Sequence, residues 1–101
     1  LLEVLHLDHN KLTMASARRL GKALYAAKLP HLHTISLAFN PVGDAGVAAL
    51  VKSAASATMP PPLQSLGFAA TLMTGTGVAA VEAALRTKSL PRLHTLDMRW
   101  N

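Results

Sequence analysis

Two histidine pairs, one glycine-rich hexapeptide and ten scattered cations are the parts of this sequence that could do chemistry. His6 and His9 stand three apart and His31 and His33 two apart, spacings at which imidazoles can share a metal ion. Zinc needs three or four convergent ligands, usually with thiolate or carboxylate help. The chain has no cysteine, and His33 and His94 both sit in a Leu-His-Thr triplet, so repetition explains them better than coordination. The expectation is that no metal is bound and that the histidines are surface groups.

Gly75-Thr76-Gly77-Val78-Ala79-Ala80 fits the G-x-G-x-x-A fingerprint that cradles a dinucleotide. The equivalent stretch Gly43-Asp44-Ala45-Gly46-Val47-Ala48 lacks the spacing. The glycines are therefore read as easing a turn and admitting close helix packing. No Ser, Asp and His are spaced as an activated nucleophile. The reading is a chain without cofactor and without enzymatic activity.

The cations carry the net charge of +5, from ten Lys/Arg against five Asp/Glu. Such a balance can favour nucleic acid or acidic lipid. Arg18 and Lys22 are four apart with Arg19 beside them, Lys52 repeats the offset of Lys22, and Arg86, Lys88 and Arg92 follow later. Nucleic-acid binders usually show a continuous basic stripe. These residues are spread over helix backs and loops without aromatic interleaving, so nucleic acid is the less favoured partner.

What positions all of these residues is one short pattern, met four times. Leu2 through Asn10 (LEVLHLDHN) and Leu32 through Asn40 (LHTISLAFN) read L-x-x-L-x-L-x-x-N. Leu63 through Thr71 (LQSLGFAAT) follows with Phe68 and Thr71 substituted, and Leu93 through Asn101 (LHTLDMRWN) is the fourth. The starts lie 30, 31 and 30 residues apart, the mark of a stacked solenoid. Within a copy, period-two alternation predicts a short strand with Leu5 and Leu7 inward. The closing Asn predicts a turn whose amide satisfies free backbone groups and bridges neighbouring coils.

A helix should follow each strand, with Ala17, Leu20, Ala23 and Leu24 on one stripe. The second and third copies place Val47, Leu50, Ser53, Ala54 and Val78, Val81, Ala84, Leu85 at the same offsets. Leu12, Val42 and Met73 precede the stripes as apolar staples. Pro30, the Pro60-Pro61-Pro62 run and Pro91 are expected to stop the helices. With half its residues hydrophobic and only 4% aromatic, the chain must build its core from Leu, Val and Ala. No apolar run approaches the roughly 20 residues that span a bilayer.

These residues resemble the leucine-rich repeat family over essentially the whole chain. The helical insert and the 30-residue period are similar to its ribonuclease-inhibitor-like class. The resemblance implies an α/β fold: a right-handed leucine-rich-repeat solenoid with parallel strands on the concave face and helices on the convex face. Residues 1–101 then form a single domain of three repeats plus a closing strand. Leu1, Leu2 and the set Leu93, Leu96 and Met98 would be left partly bare, so the domain is read as a stretch of a longer array.

The resemblance also implies a non-catalytic protein-protein interaction scaffold whose partner is a protein, and the absence of cysteine fits a reducing, intracellular and cytoplasmic setting. Two alternatives stay open: a regulator or sensor of a GTPase or signalling assembly, and a structural subunit of a large cytoskeletal, ciliary or ribonucleoprotein complex. The outward strand positions are Val4, His6 and Asp8, then Thr34, Ser36 and Ala38, then Ser65, Gly67 and Ala69, then Thr95, Asp97 and Arg99. The adjoining turn position holds His9, Phe39, Ala70 and Trp100. From these, the candidate protein-binding residues are His6, Asp8, His9, Thr34, Ser36, Phe39, Asp97, Arg99 and Trp100.

Overall fold

A computed structural model describes residues 2–58, 62–86 and 90–101, so Leu1, Pro60, Pro61 and Lys88, each invoked above, lie outside the described residues. Strands β1 (Val4–His6), β2 (Thr34–Ser36), β3 (Ser65–Gly67) and β4 (Thr95–Asp97) alternate with helices α1 (Met14–Tyr25), α2 (Gly43–Ser56) and α3 (Gly75–Arg86). The strands form one parallel sheet in the order β1-β2-β3-β4. Register follows the repeat, with Leu5 opposite Ile35, Ile35 opposite Leu66, and Leu66 opposite Leu96. Consecutive parallel strands joined through helices are the connection that winds right-handed in nearly all folds.

Alternation within the strands sends their central residues toward the helices, where they meet the helical stripes. Ile35, Leu37, Leu66 and Phe68 are buried with Ala17, Leu24, Val47, Leu50, Ala54 and Val81 in one core. Leu5, Leu7, Leu96 and Met98 of the outer strands are only half-buried against it. The staples Val42 and Met73 are buried, and Leu12 is half-buried. Two expected stripe residues differ: Val78 and Leu85 of α3 are exposed. Their counterparts in α1 and α2 are covered by the following helix, and among the described residues no helix packs on the far side of α3.

Gly77 packs at close quarters. A Cβ there would run into the Met73 side chain and the Asp44 carboxylate. At Gly75 a Cβ would meet nothing within 4 Å. The second glycine of the hexapeptide thus serves helix packing, and the first lies in the open.

Pro30 does not set the end of α1. α1 ends at Tyr25, five residues before Pro30, in a hydrogen-bonded C-terminal motif. Lys28 N–H donates to Ala23 O at 3.1 Å and Ala27 N–H to Leu24 O at 3.1 Å, with Ala27 left-handed at φ 56°. That is the Schellman arrangement, which satisfies carbonyls the helix leaves free.

The turn asparagines join coil to coil. Asn40 is fully buried, and its Oδ1 accepts from Asn10 N–H at 2.8 Å and Leu12 N–H at 3.0 Å. Its Nδ2 donates to the carbonyls of Leu7, Leu37 and Ala38 at 2.7, 3.0 and 3.2 Å. Asn101 repeats this on the third coil, accepting from Thr71 and Met73 N–H and donating to Phe68, Met98 and Arg99 carbonyls.

Thr71 interrupts the series. Its hydroxyl donates within its own turn, to Phe68 O at 2.8 Å, and no longer reaches the preceding coil. The rung between the second and third coils is made by backbone, with Gly43 N–H donating to Thr71 O at 2.8 Å. Gly43 adopts φ 67° to do so. The first and third coils place a left-handed residue earlier, at Lys11 and Leu72. The second has Pro41 there, whose ring fixes φ negative, so the left-handed step moves on to the glycine.

One tie between coils was not foreseen. Asp44, in the first turn of α2, accepts from the Thr74 N–H at 2.6 Å, the Thr74 hydroxyl, and the Gly77 N–H at 3.0 Å. It thereby caps the start of α3. The Thr74 hydroxyl, then the Thr74 backbone N–H, hold its carboxyl below the usual carboxylate range, with desolvation opposing them and the Gly77 N–H adding a lesser share. A carboxyl whose pKa is depressed by folding stabilises fully above its unfolded value of about 4, and that stabilisation is lost as pH falls through the folded value. Asp44→Asn should therefore show a flatter dependence of unfolding temperature on pH below about pH 4 than the parent chain. Parallel slopes in a pH series of thermal melts would contradict the capping role.

Candidate protein-binding face

The face opposite the helices is built from short strands and the turn that follows each. In all four coils the same turn position is left-handed: His9 at φ 59°, Phe39 at 60°, Ala70 at 50° and Trp100 at 61°. A residue with a Cβ pays roughly 1–2 kcal/mol to stand there. Repetition in every coil makes this part of the winding, since it turns the chain from sheet toward helix just before the asparagine. It also aligns four side chains into one row.

His9 and Phe39 stack within that row, with ring centroids 4.3 Å apart and planes 8° from parallel. Phe39 and Trp100 meet at 5.5 Å, tilted 48°, although they are two coils apart. Strands lie roughly 4.8 Å from their neighbours, so Trp100 must lean across the intervening coil. The small Ala70 in that coil leaves the space. Phe39 is 42% and Trp100 68% exposed.

Arg99 backs the row. Its Nε and Nη2 donate to the two carboxylate oxygens of Asp97, both at 3.0 Å, and its backbone N–H donates to Asp97 Oδ1 at 3.1 Å. The Arg99 side chain, then its backbone N–H, hold the Asp97 carboxyl below the usual range, and Asp97 raises the guanidinium in return. The guanidinium carbon lies 5.1 Å from the Trp100 ring centroid, within cation–π range. Fork and π contact together hold an otherwise mobile arginine and tryptophan.

The structure thus brings five of the nine candidate residues, His9, Phe39, Asp97, Arg99 and Trp100, into one continuous array. A second pair forms on the sheet, where Ser36 donates to Asp8 Oδ1 at 2.6 Å. Thr34 Oγ1 lies 2.9 Å from His33 Nδ1, and His6 stands opposite Ser36 on the outer strand. Ala38 and Ala69, expected to face outward, are buried. The strands end at Ser36 and Gly67, so alternation does not extend to these alanines. Among the described residues, no group of three His, Cys, Asp or Glu could hold a metal ion, and no helix is long and apolar enough to cross a membrane.

Comparison with known proteins follows the same lines. A family model described as Leucine Rich repeat matches residues 28–51, the segment running from the end of the first coil into α2. The C-terminal domain of tropomodulin from Caenorhabditis elegans superimposes with a TM-score of 0.72 over 99% of the chain, at 18% identity. The fold of this chain is that of a leucine-rich repeat solenoid. The chain spans 56% of that domain, so the likeness is one of fold. A search of curated protein sequences finds no match. Leucine-rich repeats are commonly protein-binding, and here the face with exposed aromatic side chains is the strand-and-turn face.

Proposed function

We propose that this leucine-rich repeat chain is a non-catalytic, intracellular scaffold of the ribonuclease-inhibitor-like class, part of a longer array, that docks a protein partner on its strand side. The observation that carries this reading is the exposed row His9–Phe39–Trp100 with Arg99 held behind it. Soluble chains rarely leave Phe and Trp so open side by side, and Trp and Arg are enriched among binding hot spots. A left-handed backbone and mutual stacking hold the row in place, which lowers the entropy cost of binding.

The geometry also selects chemistry. His9 and Phe39 spend one face each on the other, which leaves their edges available to a partner. Ring edges carry the positive rim of the aromatic quadrupole. Carbonyl and carboxylate oxygens, or the face of another aromatic ring, fit that rim. Flat stacking of nucleobases does not.

Trp100 is the single tryptophan of the chain, so its fluorescence reports on the row directly. A partner that docks here shifts the emission to the blue and shields it from acrylamide. Alanine at Phe39, Arg99 and Trp100 together should weaken partner affinity in the full-length protein by a hundredfold or more, roughly 3 kcal/mol. Unchanged affinity in the triple variant would remove the row from the interface.

A place in a cytoskeletal assembly is the alternative that the tropomodulin likeness keeps in view. Proteolytic protection of α1 to α3 in native extracts would favour it over a scaffold whose helix side stands in solvent.

A further inference from the structure

The excess charge of this chain is concentrated in one stretch. Between Asp8 and Asp44 there are five cations (Lys11, Arg18, Arg19, Lys22, Lys28) and no acid, while the remaining five Lys/Arg and five Asp/Glu cancel. Arg18, Lys22 and Tyr25 fall at i, i+4 and i+7 of α1 and so share one line along it. All three are exposed, Tyr25 by 58%. Neither ion pair found among the described residues involves these cations.

Beside this ridge the helix side is low. The repeat offsets of Arg18 and Tyr25 hold Ala48 and Ala55 in α2, and Lys52 repeats Lys22. Between α2 and α3, Ala48, Ala55, Ala80 and Ala83 line an open depression of about 380 Å³ with Lys52. The neighbouring seam between α1 and α2 is closed, because Gly21 lets Ser53 and the Ala49 carbonyl come within 3.2 Å of where a Cβ would stand. Val51 and Glu82 occupy the offset of Gly21 in the later helices.

We propose that this helix side is a second docking face, taking an acidic amphipathic helix from a partner protein. An alanine floor admits the apolar ridge of an incoming helix, as in other helix-in-groove complexes. Lys52, Lys22 and Arg18 then meet carboxylates along its flank, and guanidinium groups bind carboxylates in a bidentate fork. Arg19 lies about 100° around α1 from Arg18. A flat anionic membrane therefore engages only part of the basic set, and neither lipid headgroups nor phosphates fill an alanine-lined depression. The proposal does not depend on the aromatic row.

The test is fluorescence polarisation with a labelled synthetic helix that has Leu at i, i+3, i+4 and i+7 and Glu on both flanks. The parent chain should bind it, and Lys22→Glu with Lys52→Glu should weaken binding by about tenfold or more. Ala83→Trp should weaken it by filling the depression, with the melting temperature unchanged. Phe39→Ala with Trp100→Ala should leave it unaltered, which separates this face from the strand side. The same helix with Lys in place of Glu should not bind. Failure of the acidic helix to bind, or insensitivity to both sets of helix-side substitutions, overturns the proposal. So does the finding that oligo-dT, or vesicles of phosphatidylcholine with about 30% phosphatidylserine, bind more tightly than the helix and are released by the charge reversals.

Discussion

Replacing Asn40 by alanine should lower the unfolding free energy by about 3 kcal/mol, read from urea titration. The side chain is small and its apolar content slight, so lost packing is not the cause. Removing the amide strips Asn10 N–H and Leu12 N–H of their acceptor and the Leu7 carbonyl of a donor, all on the neighbouring coil. Each buried orphan costs about 1–3 kcal/mol, reduced where water can reach it. Asn40→Asp separates the two explanations. It keeps the volume but points a carboxylate oxygen at three carbonyls that now receive Nδ2–H. It should be at least as destabilising as alanine at neutral pH. Folding raises the pKa of the introduced carboxylate above its unfolded value near 4, so the penalty shrinks as pH falls toward that value. An aspartate variant as stable as the parent at pH 7 would mean that the amide donates nothing essential.

Phe68→Ala should cost about 4 kcal/mol, within the range found for buried Phe truncations. Phe68 is the largest fully buried side chain, at 0% exposure, and it lies in the same core as Leu37 and Leu66. A 101-residue domain typically holds only 5–15 kcal/mol in reserve, so this single truncation removes much of it. Phe68→Leu is the more informative variant. Leu restores the repeat signature, and a consensus argument would expect a gain. A closely packed core instead expects a loss of about 1 kcal/mol, because the third coil has been fitted around a ring. Stabilisation by Leu would show that the core relaxes freely around this site.

Much of this was legible in the sequence because the signal was repeated. Leu5, Ile35, Leu66 and Leu96 pair in the register that the repeat starts imply. The bridging role of Asn40 follows from the chemistry of an amide at the end of a strand. Other features left no such signal. Ala38 and Ala69 sit two residues past the end of their strands, and period-two alternation cannot say where a strand stops. Asp44 was visible as an acid at a helix start, but its partners belong to the next coil, 30 and 33 residues away. Pro30 is a strong helix breaker, yet α1 had already closed on its own backbone bonds before it.

The aromatic row lies between these cases. Its members share a repeat position and could be aligned by eye. That Trp100 reaches Phe39 across a whole coil depends on the methyl group at Ala70, which pattern alone does not weigh. The array of Asp97, Arg99, Trp100, Phe39 and His9 exists only because successive coils pair in parallel with no slip. A shift of one residue would send the strand-side groups into the core.

One NMR experiment reaches that dependence most directly. In a NOESY spectrum of the folded chain, backbone protons of Ile35 should show contacts to both Leu5 and Leu66, with Phe39 ring protons in contact with those of His9 and Trp100. Close Hα–Hα contacts between neighbouring strands, the sign of antiparallel pairing, or Phe39 and Trp100 rings without mutual contacts, would contradict it.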